Sequence, residues 1–484
     1  MKTIKIEPIS RLEGEGQIII ILDDDGKVRD VFFEILELKG FERFCIGRPA
    51  EEMPRIVTRI CGVCPWAHHM AAGKAVDAVF GRDPTPVAEK IRELAYCAHI
   101  IDSHSLHFYF LAAPDFLVSP EADKSQRNVI YLYKKHPEIV KEIVKHRHYV
   151  VKIESMIGGK SIHPVCCVPG GVSKRLTEDE RKEIEEMAKE LIKFSEKWLE
   201  IWEKDILSKY EDIIFSKDIY YLETYYMGLV SPKDNSLNFY DGDVRVVDQK
   251  GQEVFRFRAH EYLNYISERV EAWTYTKFPY LKPIGWKGLV DGPKSGIYRV
   301  GPLARLNVCD RISTEKAQLA YEKYIEAGGK PVHFSMFAHW ARLIEMLYAS
   351  ERILELAQDE EITSSDVINY EGALTKFGVG VVEAPRGILF HHYETDDDGM
   401  ITLANMVVPT TQNNAAICMD VKKSTEKLII NGQISEGILN RIEMAFRAYD
   451  PCLACSAHSL PGRMPLVVKV YNTRGELIKE LRRE

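Results

Sequence analysis

Two short stretches, one near each end, constrain what this chain can fold into. Arg59 begins "RICGVCPWAHH" and Asp450 begins "DPCLACSAH", and each holds a Cys-x-x-Cys pair. The leading cysteines, Cys61 and Cys452, are 391 positions apart. The turn in such a pair points both sulfurs the same way, so two thiolates can converge on one centre. One pair alone reads as half a zinc site, a redox dithiol or coincidence. Two pairs this far apart do not fit a local zinc ribbon, whose ligands lie close together in sequence. A zinc site closed by the distant pair stays open on spacing alone. Four thiolates with imidazoles and carboxylates nearby in sequence favour a soft or borderline metal: zinc, iron, nickel or copper.

A chain of 484 residues, 45% of them hydrophobic, can bury a sizeable core as one large domain or two intimately packed parts. Its formal net charge of -8 argues against nucleic acid as the main partner. No apolar run reaches the roughly 18 residues that mark a membrane span. The start, "MKTIKIEPISRLEGEG", has no apolar signal core, so no secretory leader is expected, although a subunit exported on a partner would look the same. Ten cysteines are too sparse for a disulfide scaffold. Cys45, Cys97, Cys166, Cys167, Cys309 and Cys418 show no pairing pattern and read as buried thiols.

Periodicity predicts an α+β chain, predominantly helical, with small peripheral sheets. "KTIKIEP", "GQIIIILD" and "VRDVFFEIL" give an N-terminal β region over 1–45. Residues 85–450 form a mainly helical body. Helical patterns start at Thr85 and at Thr177, where Glu180 completes a capping-box signature. Three more lie in "STEKAQLAYEKYIEAGG", "AHWARLIEMLYASERILELAQD" and "SEGILNRIEMAFRAYD". "DVRVVDQKGQEVFRFR" reads as a hairpin, and so does the tail, "MPLVVKVYNTRGELIKELRRE". The stretch from "FGVGVVEAPRG" to "VVPTTQNN" reads as strands around an acidic turn.

"RICGVC" and "DPCLAC", the latter followed by Ser-Ala-His, occur together with "RLEGEG", "KGFE", "HSLHFY", "PGGV", "GPLARLN", "EAPRG" and "VVPTTQNN". In this order they resemble the large, catalytic subunit of nickel–iron hydrogenases over nearly the whole chain. "TTQNN", "KFPYLK" and the long tail after His458 look like the cytoplasmic, bidirectional, NAD(P)-linked branch. The quinone-site subunit of respiratory complex I shares that fold but lacks the four cysteines. The resemblance implies the large-subunit fold, with a central long-helix bundle, over 1–458. It also implies that 459–484 is a maturation segment removed by an endopeptidase; a retained hairpin is the other reading. It implies a nickel held by Cys61, Cys64, Cys452 and Cys455, with Cys64 and Cys455 bridging to an iron that carries carbon monoxide and cyanide.

The same resemblance assigns roles around that centre. Glu13 matches the proton-transfer glutamate and Cys452 the first base in reversible heterolytic cleavage of H2. Arg386 matches the arginine above the metals, with Asp450 as its partner. Thr410 matches the hydroxyl that binds a cyanide, and Met406 falls where an apolar side chain packs around carbon monoxide. His68 lies behind a bridging sulfur. Glu42 and His458 match ligands of a magnesium-like ion. Alone, each has a plainer reading: a turn glutamate, a salt-bridged arginine, an Asp-Pro turn, a core methionine, a structural or tail histidine. Glu15 stands where many relatives have histidine, and Ser103 where many have aspartate. No further cysteine cluster and no G-x-G-x-x-G motif in context occurs, so electrons must leave through a partner. The resemblance implies a small subunit with an iron–sulfur cluster, then flavin and iron–sulfur diaphorase-type subunits, in the cytoplasm, with NAD(P) or another soluble acceptor. The alternative is a non-catalytic, complex I-like scaffold subunit with a structural zinc site.

Overall fold

Helices with one apolar stripe bury it against one another, and five of them form the body. In the computed structural model, which describes residues 2–458, 466–471 and 476–483, helix Phe337–Gln358 lies at the centre. It packs against helices Pro86–Ser105, Glu178–Ile201 and Glu315–Gly328, and Pro86–Ser105 packs in turn on Pro137–Gly158. The capping box forms as the sequence predicts: the Thr177 hydroxyl accepts from the Glu180 N–H, and the Glu180 carboxylate accepts from the Thr177 N–H. Phe108, Tyr109, Trp198 and Trp202 interlock between the helices, with the Tyr109 and Trp198 rings 4.5 Å apart.

Three features depart from the sequence reading. The helix begun at Thr85 runs to Ser105 and then widens into a π-helical turn, Leu106–Ala112. Helices Pro65–Val79 and Pro137–Gly158 have no counterpart in that reading. "PTTQNN", expected among the strands, instead opens helix Pro409–Leu428. Pro409 suits a first helical turn, where no N–H is required. The polar side chains that follow serve other backbones: Gln412 donates to Ile388 O and Asn413 accepts from Val300 N–H.

Lys2–Ile6, Gly16–Leu22 and Val28–Ile35 form the expected antiparallel N-terminal sheet. A second antiparallel sheet joins Phe377–Ala384, Gly387–Thr395 and Ile401–Val407. Helix Pro65–Val79 lies directly on it, because Gly378 and Gly380 offer no side chain. A Cβ on either would stand 2.1 Å from a carbonyl oxygen of that helix. The close approach fixes the helix that begins immediately after Cys64. The predicted hairpin Asp243–Val247/Glu253–Phe257 forms, as does Leu466–Tyr471/Leu477–Arg483 in the tail. Residues 459–465, where the maturation segment was expected to begin, lie outside the described residues.

Candidate metal centre

Each cysteine pair lies at the junction between two helical segments. Cys61 is extended after the turn Val57–Ile60, and Cys64 caps helix Pro65–Val79. The N–H groups of Val63 and Cys64 point at Cys61 Sγ from 3.2 and 3.4 Å. At the other end Asp450 adopts a left-handed conformation, φ 55°, that swings Pro451 and Cys452 inward. Cys452 then caps the short helix Leu453–Ser456.

The N-terminal "RLEGEG" segment lies along this second pair. Leu453 N–H donates to Glu13 O at 2.9 Å, and Ala454 N–H to the Glu13 carboxylate at 3.1 Å. Gly14, at φ 89°, permits the approach, since a Cβ there would stand 2.8 Å from Leu453 Cβ.

The four sulfurs meet. Cys61 and Cys452 Sγ are 3.2 Å apart, as are Cys64 and Cys455 Sγ, and all four lie within 4.8 Å of one another, buried. Contacts from the Cys452, Cys455 and Cys64 sulfurs hold Cys61 well below the usual thiol value, while burial pushes Cys452 and Cys455 up. Four buried sulfurs this close together are the donor set a thiophilic cation would take in place of their protons. Beside the sulfurs is a small cavity of about 10 Å³, with His68, Arg386 and Thr410 as its polar wall and Pro385, Leu389 and Val408 as its apolar one. Buried soft donors beside such a cavity fit a nickel–iron site.

The other expected residues divide into those that reach this centre and those that do not. Cys452 Sγ donates to Glu13 Oε2 at 3.0 Å. Burial, and then the Cys61 sulfur, raise the Glu13 carboxyl above its ordinary value. Arg386 donates from Nε to Asp450 O at 2.6 Å, from Nη2 to Asp450 Oδ1 at 3.0 Å and from Nη1 to Ser103 Oγ at 3.4 Å. Burial alone would raise the Asp450 carboxyl, but Arg386 and His107 outweigh it and hold it well below the carboxylate range. Thr410 Oγ1 accepts from Cys452 N–H at 3.0 Å. His68 Nε2 lies 3.6 Å from Cys455 Sγ, and burial lowers this imidazole to about 4, so it is neutral. Met406 is buried, but its side chain is not among those lining the cavity, where Leu389 and Val408 stand instead. His69 turns away from the sulfurs altogether.

Glu42 and His458 do come together. His458 Nε2 is 3.4 Å from Glu42 Oε1 and 2.8 Å from Met406 O, while Nδ1 is 2.6 Å from Cys455 O. Both ring nitrogens of His458 thus face oxygens, with the Glu42 carboxylate and the Met406 carbonyl together on the Nε2 side. His391 and Tyr393 were missed by sequence reasoning. They continue the line behind Cys455, with His68 Nδ1 3.1 Å from His391 Nε2 and His391 Nδ1 2.6 Å from Tyr393 OH. Only their alternation on one strand face hinted at it.

Comparisons with known proteins agree with this geometry. The family description "Nickel-dependent hydrogenase" matches residues 39–137 and 294–458, and "HoxL-like" matches 3–38. The chain is 50% identical to the iron-sulfur subunit of an F420-non-reducing hydrogenase from Archaeoglobus profundus, over 100% of both chains. It is 38% identical to the NAD-reducing hydrogenase HoxS subunit beta of Cupriavidus necator, over 99% of both. A solved NAD+-reducing [NiFe]-hydrogenase in the H2-reduced state superposes with a TM-score of 0.90 at 38% identity, over 95% of this chain and 100% of that one. Sulfur geometry, fold and sequence thus agree that the chain belongs to the nickel-dependent hydrogenases, as the large subunit of an oxidoreductase acting on H2.

Proposed function

We propose that this subunit cleaves H2 heterolytically and reversibly at a nickel–iron centre held by Cys61, Cys64, Cys452 and Cys455. The observation that carries the proposal is a half-buried carboxyl 3.0 Å from one of four converging buried sulfurs. When bound, the nickel–iron pair supplies a redox-active Lewis acid that polarises H2 and takes up its electrons. The chain's residues then handle the proton. Cys452 sulfur receives it, and Glu13 Oε2 takes it onward at hydrogen-bond distance, its raised affinity bringing it nearer that of a thiol. Arg386, fixed by two bonds to Asp450, keeps a permanent positive charge on the cavity wall. Arg386 and Thr410 are the groups suited to cyanide nitrogens on the iron, and the apolar wall suits carbon monoxide. Glu42, His458 and the Met406 carbonyl would hold Mg2+ or a similar ion between the two ends of the chain.

Electrons pass to a small subunit with an iron–sulfur cluster, then through diaphorase-type subunits to NAD(P) or a similar soluble acceptor in the cytoplasm. The NAD-reducing relatives support that acceptor, and the name of the 50% identical relative weighs against F420 itself. No helix among the described residues is long and apolar enough to cross a membrane. A maturation endopeptidase removes 459–484, leaving His458 as the new end, where its carbonyl already accepts from Phe41 N–H at 2.6 Å. Infrared spectroscopy and metal analysis of the purified complex test the centre. Diatomic-ligand bands with nickel and iron near equal amounts are expected; their absence from a complex that turns over H2 refutes it. Intact mass tests the tail: full activity in a chain ending at Glu484 excludes its removal.

A further inference from the structure

The residue after His68 faces the other way and enters a second group of soft ligands. His69 Nδ1 lies 2.7 Å from Pro54 O, which places the ring proton there and leaves the Nε2 lone pair facing inward. Nε2 is 3.5 Å from Cys166 Sγ and accepts from Cys167 N–H at 3.0 Å. Nε2 and the two sulfurs lie within 4.8 Å of one another, all buried. Met70 Sδ, a fourth soft atom, is 3.5 Å from Cys167 Sγ. Gly73 makes the room: a Cβ there would stand 3.0 Å from Cys167 Cβ and 3.2 Å from its sulfur. Arg92 supplies positive charge next to the group, bonded to Asp77 and to Val168 O and Gly171 O of the hairpin that carries Cys167.

Buried thiols are ordinarily just packing. Here an imidazole is oriented from behind by a carbonyl, as metal-binding histidines are, and turns Nε2 toward Cys166 Sγ and the Cys167 amide, with both sulfurs in reach. We propose that His69 Nε2, Cys166 Sγ and Cys167 Sγ hold one soft, closed-shell metal ion, Cu(I) or Zn2+, separate from the nickel–iron centre. Two thiolates and an imidazole suit both ions, and recruitment of the Met70 thioether favours Cu(I). No carboxylate is among the grouped ligand atoms, and Asp77 is occupied by Arg92 and by Gly170 N–H, so hard ions are disfavoured. Binding releases the thiol protons to solvent and frees the Cys167 amide from Nε2. The ion would tie helix Pro65–Val79, whose cap is Cys64, to the hairpin at Cys167–Val172, and so brace the first sulfur pair from behind.

The test uses the purified, nickel-loaded complex, analysed by elemental mass spectrometry and by X-ray absorption at the copper and zinc edges. The expected result is about one copper or zinc per chain beyond nickel and iron, taken up from added Zn2+ or Cu(I) if not already present. Its shell should hold one nitrogen with two sulfurs, or three if Met70 joins. Cys166→Ser/Cys167→Ser and His69→Gln should each lower that occupancy about tenfold or more while nickel stays. Three results overturn the proposal: no such ion even after exposure to both metals, undiminished binding in folded variants, or a Cys166–Cys167 disulfide in the isolated protein. Should the variants not fold, the shell of the parent decides, since four sulfurs without nitrogen would place the ion elsewhere. Failure of the nickel–iron reading would show as missing nickel and leave this signal intact.

Discussion

One oxygen of Glu13 accepts from both the Cys452 sulfur and the Ala454 amide. Glu13→Gln preserves an acceptor for the amide but removes a base. It should keep its metals while H2 turnover and H/D exchange fall by about 10²–10⁴-fold, as read by mass spectrometry of the evolved gas. Normal exchange in a fully metallated variant removes Glu13 from the mechanism. Asp115 makes a different kind of contribution. It accepts from Arg11 at 2.6 Å, Arg447 at 2.6 Å and Asn440 at 3.0 Å. Burial would raise its carboxyl, but Arg447 and Arg11 hold it below 3.8. Its unfolded form therefore takes up a proton first as pH falls. The stabilisation is full above pH 3.8 and is lost on acidification through the lower folded value. Asp115→Asn should cost about 3–5 kcal/mol at pH 7, and its thermal-unfolding gap to the parent should narrow below about pH 4. The cysteines were legible because two pairs with distinctive neighbours stand out in any chain. His391, Tyr393 and Asp115 were not, because their partners are set only by the fold.

Arg305 joins three elements with one guanidinium. It bonds Glu345 on the central helix through Nε and Nη2, both at 2.7 Å, and Glu383 on strand Phe377–Ala384 at 2.8 Å. His104, from helix Pro86–Ser105, completes the cluster 2.7 Å from Glu345. Every member is fully buried, so Glu345→Ala strands a charge and should lower unfolding stability by about 3–5 kcal/mol. Thr177→Ala, which removes only a cap, should cost about 1 kcal/mol. Chemical denaturation of the two variants checks the contrast. Helix Glu178–Ile201 was legible because one face is polar and its cap is explicit. Helix Pro65–Val79 is buried nearly all round, which erases the period that marks a surface helix. The π-helical turn at Leu106–Ala112 carries Phe108 into contact with Trp198, Trp202 and His339, partners from distant helices that no local pattern reports.

Across the whole molecule, the two ends are stitched by backbone as well as by sulfur. Lys39 N–H donates to Ala457 O at 2.8 Å and Phe41 N–H to His458 O at 2.6 Å, beside the Leu453–Glu13 bond. A chain prepared without metals should therefore keep its helical body while this seam loosens. Hydrogen exchange should quicken at Lys39, Phe41 and Leu453 and stay slow within Phe337–Gln358; equal protection in both forms would show that metals do not hold the seam. The seam was foreseeable from the two cysteine pairs and from the roles expected of Glu13 and Glu42 beside Cys452 and His458, but its backbone bonds were not, since backbone pairing leaves no mark in side-chain identity. The 391 positions between the pairs also set a clock. At about 5–20 residues per second, a ribosome delivers Cys452 some 20–80 seconds after Cys61. A metallochaperone meeting the nascent polypeptide finds half a cage, so loading awaits the finished chain.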